Sequence, residues 1–250
     1  MVLTSPHTDT TNGIIYTWNA TDTSNKRVRV GGRDAAYTST DVTIPDTLDV
    51  EQNGSAPWQV WFVGGLNGNT TILSIILPKF LKKIGASAFN GASIQQVDLS
   101  ECTLLNGVNT SCFANSDIQS IDMTNCPLLS TIGAYTFTNC SNLTKVIMPH
   151  VINLNNTALN GVVPVEELNL NSMTIIVSSM LSGIPINTLK ILSLNSVTNV
   201  GLDPVLLQGY TNMEELNLNS LTSFNWQTLD GGLPTLKTIS LNSVISFFNN

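Results

Sequence analysis

The stretch Val165-Glu166-Glu167-Leu168-Asn169-Leu170 carries the pattern apolar-x-x-apolar-x-apolar. Its last three residues alternate apolar and polar, which makes a short strand with one buried face. The same pattern begins at Ile72, Ile94, Ile118, Leu143, Val165, Leu189, Met213 and Leu236, at spacings of 22, 24, 25, 22, 24, 24 and 23 residues. Its central apolar positions are Ile75, Val97, Ile121, Val146, Leu168, Leu192, Leu216 and Ile239.

Each unit repeats beyond the strand. A second apolar position follows at Ile84, Val108, Ile132, Leu154, Ile176, Val200, Phe224 and Phe247, and a third five residues later at Phe89, Phe113, Phe137, Leu159, Leu181, Val205 and Leu229. One coil of this length cannot bury its own apolar side. Stacked coils can, with parallel strands about 4.8 Å apart building one continuous core. The expected fold is a mostly β solenoid of the α/β type: a right-handed leucine-rich-repeat coil with a parallel sheet, eight repeats of 22–25 residues and an N-terminal β cap. So short a repeat leaves little room for a helix opposite the sheet. Turns or a short 3₁₀ segment are expected there.

Three stretches carry a resemblance. Leu77-Pro78 with Ile84-Gly85-Ala86-Ser87-Ala88-Phe89, and Ile132-Gly133-Ala134-Tyr135-Thr136-Phe137-Thr138-Asn139-Cys140, resemble the BspA-like leucine-rich repeat, as does Val146-Ile147-Met148-Pro149. After Leu154 the Ile-Gly and Ala-Phe signatures give way to Leu-Asn-Ser-x-Thr, beginning at Leu170, Leu194 and Leu218. The resemblance implies a non-enzymatic module on a bacterial or parasite surface with a role in adhesion. It also implies a core position for Cys140.

Residues 1–70 depart from the period and are expected to form an N-terminal β cap with one degenerate repeat, with residues 71–250 as the solenoid. Ile14–Trp18 and Val28–Val30 read as a hairpin around Asp22, Ser24 and Asn25. Val42-Thr43-Ile44-Pro45 reads as a repeat strand. An insertion of about ten residues, marked by Asn53-Gly54 and Pro57, separates it from the next unit.

Composition bounds the function. Only 11% of residues are charged, the net charge is −7 and the pI is near 4.6. An acidic surface repels phosphates, so nucleic acid and anionic membranes are not expected partners. No apolar run reaches the roughly 20 residues of a membrane span, and Met1–Gly13 lacks the basic and apolar regions of a signal peptide. The seven Asn-x-Ser/Thr sequons match the roughly 6 expected by chance in so Asn-, Ser- and Thr-rich a chain, and carry no information.

The residues that could carry chemistry are few. His7 and His150 stand alone, and no grouping has the spacing of a metal or cofactor site. Cys102 and Cys126 each follow a central strand residue by five positions, so they stack on adjacent rungs. They read as a pair of buried thiols or as a disulfide. Glu166, Lys190, Glu214 and Lys237 form a column of alternating sign that favours the stacked register.

The outward strand positions are Asp98, Asp122, Asn169, Ser193, Asn217 and Ser240. Beside them run Ser100, Thr124, Asn171, Asn195, Asn219 and Asn242. The candidate binding face is therefore Asp98, Asp122, Asn169, Asn171, Asn195, Asn217, Asn219 and Asn242. It would recognise a protein or glycan partner, although Trp18, Trp58, Trp61 and Trp226 fall away from it. Asp98 with Asp122 could also be read as a hydrolytic carboxylate pair, but no apolar pocket is in view to raise either pKa. Another function class stays open: a structural component of a virion or surface layer, in keeping with the low charge. The last coil, with Val244, Phe247 and Phe248, reads as uncapped and apt for self-association.

Overall fold

The computed structural model describes residues 5–18, 26–49, 57–162, 164–198, 207–225 and 233–248, with the backbone alone at 223–225 and 246–248. Val200, Val205, Trp226, Leu229 and the turn residues Asp22, Ser24, Asn25, Asn53 and Gly54 lie outside the described residues, as do the side chains of Phe224, Phe247 and Phe248.

The chain opens with β1 (His7–Thr8), β2 (Ile14–Trp18) and β3 (Arg27–Arg33), paired antiparallel in that order. Next come β4 (Asp41–Thr43), β5 (Thr47–Leu48) and β6 (Trp58–Val63). Four coils then each supply a three-residue strand and a two-residue strand: β7 (Ser74–Ile76) and β8 (Lys83–Ile84), β9 (Gln96–Asp98) and β10 (Gly107–Val108), β11 (Ser120–Asp122) and β12 (Thr131–Ile132), β13 (Lys145–Ile147) and β14 (Asn153–Leu154). The later coils hold β15 (Glu167–Asn169), the single-turn α1 (Ser178–Leu181), β16 (Ile191–Ser193), β17 (Glu215–Asn217), β18 (Ser223–Asn225), β19 (Thr238–Ser240) and β20 (Ser246–Phe248).

All eight central positions fall in strands. They align in register, as in Val146↔Leu168, Leu168↔Leu192 and Leu192↔Leu216. Val42 stands opposite Ile75, so β4 is a further rung below the eight. The sheet expected to be continuous is divided, however: β4-β7-β9 form one sheet and β11-β13-β15-β16-β17-β19 another. Between β9 and β11 the outward residues of neighbouring rungs are Asp98 and Asp122. Facing like charges disfavour pairing.

The opposite side of the coil holds more than turns. The second apolar position builds its own parallel ladder, β3-β6-β8-β10-β12-β14, with Val108 opposite both Ile84 and Ile132. The N-terminal hairpin joins this ladder through β3, and β18 pairs with β20 farther along the chain. Glycine after the strand residue lets these rungs close up: a Cβ on Gly133 would lie 2.6 Å from the backbone nitrogen of Thr110. The six-strand path stops at β14, where the Ile-Gly signature is lost, and the next coil carries α1 instead. The turns expected here are present, and no 3₁₀ segment occurs among the described residues.

The third apolar position forms the corner of the coil. Leu66, Phe89, Phe113 and Phe137 are buried, and their backbone N–H groups donate to the next coil at Ala88, Cys112, Thr136 and Ala158. The three phenylalanine rings are parallel, with centroids 5.2 and 5.7 Å apart. Two residues farther on, the backbone turns left-handed at Gly91, Asn115, Asn139 and Gly161, residue types that tolerate positive φ.

Candidate functional site

The outward face is set by how each strand ends. Asp98 and Asp122 accept hydrogen bonds from the backbone N–H of Ser100 and Thr124 at 2.8 and 2.9 Å, and Asn169 accepts one from Asn171 at 3.2 Å. The carboxylate or amide two residues before the turn thus closes it, which is why these types recur there. The residues chosen for outward display are also the residues that stop each strand.

On rungs β15 to β17 the amides join from coil to coil. Asn171 Oδ1 accepts from the Asn195 backbone at 3.3 Å, Asn219 Nδ2 donates to Asn195 Oδ1 at 2.9 Å, and Asn217 Nδ2 donates to Ser193 Oγ at 3.2 Å. Asn219 Oδ1 is buried with no partner among the described residues. These side chains are half-buried, whereas Asn242 is exposed at the outer rung. The candidate face therefore divides into an acidic part, Asp98 with Asp122, and an amide part, Asn169 through Asn219. The β13 rung lies between them, and its outward residue Ile147 is buried.

The acidic part lies where the first ladder is open. Val97, Asp98, Leu99, Ser100, Asp122, Thr124 and Asn125 line a shallow depression of about 410 Å³. Hydrogen bonds from Ser100 hold the Asp98 carboxyl below the usual carboxylate range, ahead of the opposing effect of burial. A general acid in glycoside hydrolysis needs the opposite shift.

Other side chains singled out from the sequence are tied to neighbouring coils or buried in the core. His150 Nε2 lies 2.9 Å from the Thr124 carbonyl oxygen. All four cysteines are free thiols in the core. Burial pushes Cys102 and Cys126 up to about 12 and Cys140 up to about 11, and Cys140 Sγ donates to the Phe113 carbonyl at 3.0 Å. The alternating charge column pairs two by two, Lys190 with Glu166 at 2.9 Å and Lys237 with Glu214 at 2.8 Å. Lys145 and Glu167 add a neighbouring bridge at 2.8 Å.

Sequence reading missed the second ladder as a sheet, and with it the setting of two tryptophans. Trp58 and Trp61 lie on β6, away from the first ladder, with Trp58 buried and Trp61 half-exposed beside Phe62. The alternation of Arg27-Val28-Arg29-Val30 was the available signal, since a strand with outward arginines belongs to a solvated sheet face.

These features define a leucine-rich-repeat solenoid of the mostly β kind. The chain belongs to the BspA type leucine rich repeat family, whose description matches residues 67–186 and 130–250 with six copies. Repeats of this family are typically surface-associated interaction modules without catalysis. The Treponema pallidum leucine rich repeat protein shares the fold, with a TM-score of 0.52 at 16% identity over 92% of this chain and 90% of that one. The pneumococcal vaccine antigen PcpA aligns over 100% of this chain and 89% of its own length, at 14% identity and a TM-score of 0.49. Among curated proteins no significant sequence match is found. No helix among the described residues is long and apolar enough to cross a membrane.

Proposed function

We propose that the chain is a non-enzymatic, surface-exposed recognition module that binds a protein partner through the outward face of its first ladder. The observation that carries this reading is the break between β9 and β11. There Asp98, Ser100, Asp122 and Thr124 line a depression, flanked farther along by the hydrogen-bonded amides of Asn169, Asn171, Asn195, Asn217 and Asn219. Side chains already tied to one another lose little freedom on binding, which lowers the cost of recognition. Capture experiments with matrix proteins and with glycan arrays test it. Saturable binding of a protein, lost on Asp98→Arg with Asp122→Arg, is the expected result. Binding that survives these changes, or that is seen with glycans alone, overturns it.

The same reading extends to a second copy of the chain. On the last rung Ile239 is 37% exposed, whereas Leu216 on the rung below is fully buried. Val244 of that coil packs only partly on the core. This coil, with Phe247 and Phe248, is the proposed self-association surface. Light scattering should report concentration-dependent association that Ile239→Asp with Val244→Asp abolishes. A strict monomer at high concentration would refute it.

A further inference from the structure

The cations of this chain are unevenly placed. Residues 84–250 hold three lysines against ten acidic residues, and each of those lysines is bonded to a glutamate. The other seven Lys and Arg residues lie within residues 1–83. Of these, Lys79 is bonded to Asp46, and Arg33 donates to the carbonyls of Asn12 and Ser39 and to Thr71 Oγ1. Arg27, Arg29, Lys82 and Lys83 differ. All four are exposed, and among the described residues no carboxylate forms an ion pair with them.

Register collects Arg27, Arg29 and Lys83 on the outer face of β3, β6 and β8, and Lys82 adjoins Lys83 at the start of β8. Arg29 stands opposite Phe62, and Phe62 stands opposite Lys83, so guanidinium, ring and ammonium make one row across three strands. The Arg29 Cζ lies 4.2 Å from the Phe62 ring centroid, and the Arg27 Cζ lies 5.3 Å from that of Trp61. Phe62 itself rests on glycine: a Cβ on Gly85 would come within 2.5 Å of the ring. A guanidinium stacked on a ring is held in place while its N–H edge stays open to a planar acceptor. Exposed cations on a fixed platform, in a chain of net charge −7, form a surface suited to an anion.

We propose that the outer face of β3, β6 and β8 binds an acidic segment of a protein partner through its Asp and Glu carboxylates. Charge distribution selects the class. A long polyanion would run off this patch onto residues 84–250, where acids outnumber bases ten to three. Cations on β3 and β8 stand two strand spacings apart, about 10 Å, too sparse for the one charge per roughly 1.7 Å of a DNA duplex. A short carboxylate-rich peptide avoids both conflicts. This face is separate from the one carrying Asp98 and Asn219, and the proposal does not depend on that reading.

Fluorescence anisotropy with a labelled deca-glutamate peptide at low salt tests it on the full chain. Saturable binding is expected, weakening as salt rises. Arg27→Gln with Arg29→Gln, and separately Lys82→Gln with Lys83→Gln, should each reduce affinity about tenfold, the scale of losing a charge-assisted contact. Lys145→Gln with Lys190→Gln should leave it unchanged. On the unmodified chain, bound peptide should protect Lys82 and Lys83, but not Lys145, from an amine-reactive label, a readout independent of variant folding. Absence of saturable binding, an equal loss in the Lys145 and Lys190 variant, or lack of protection overturns the proposal. So does tighter binding of a heparin dodecasaccharide or a single-stranded DNA dodecamer that is lost in the same variants.

Discussion

Phe113 sits between Phe89 and Phe137 with its side chain wholly buried. Phe113→Ala removes the middle ring and leaves a void that rigid neighbouring coils cannot fill. A loss of about 3–5 kcal/mol is expected, read as a lower denaturation midpoint; an unchanged midpoint would contradict the assigned register. Gly133 makes a different kind of demand. Gly133→Ala places a methyl against the backbone of Asn109 and Thr110, which cannot swing aside as a side chain could. It should destabilise the chain far more than Gly107→Ala, whose added Cβ would meet only side-chain atoms of Lys83 and Asn109 at 3.5 Å or more, although both begin from the same residue type.

At the level of elements, the buried thiols and the charged columns make opposite predictions about solution conditions. Burial raises Cys102 and Cys126 from an ordinary value of 9.0 to about 12, so the folded state favours the protonated thiols. Their contribution to stability is complete below pH 9 and is lost as pH rises from there through about 12. Native protein at pH 8 should therefore resist iodoacetamide, and all four cysteines should react after unfolding. The columns respond to salt instead. Lys190→Glu would set three glutamates, with Glu166 and Glu214, on consecutive rungs. A modest destabilisation is expected, recovered at high salt because these side chains face solvent. Destabilisation that persists in high salt would mean that Lys190 acts through packing.

Across the whole molecule, contacts run from each coil to its neighbours, as in any linear repeat array. Between β9 and β11 the strands of the first ladder are unpaired among the described residues, although the Gln119 N–H just before them still donates to the Gln95 carbonyl at 3.0 Å. Native-state hydrogen exchange should find faster exchange around residues 96–100 and 120–124 than around 145–147 and 167–169. Uniform protection across both regions would show that the two sheets behave as one.

The period, the buried columns and the location of every first-ladder strand could be read from the sequence. They depend on local alternation and on a spacing that repeats. The charge pairs at Glu166, Lys190, Glu214 and Lys237 were readable for the same reason. Three matters were decided only in the tertiary structure. The second ladder rests on two-residue strands such as Thr131–Ile132, too short to show alternation, and at Gly133 it draws on a close backbone approach that no local pattern announces. The break at Asp98 and Asp122 depends on which residues face each other on adjacent rungs. The cationic row joins Arg29, Phe62 and Lys83, residues far apart in the chain that meet only through strand pairing. A repeat sequence determines its own coil; what lies beside a given side chain is settled when the coils stack.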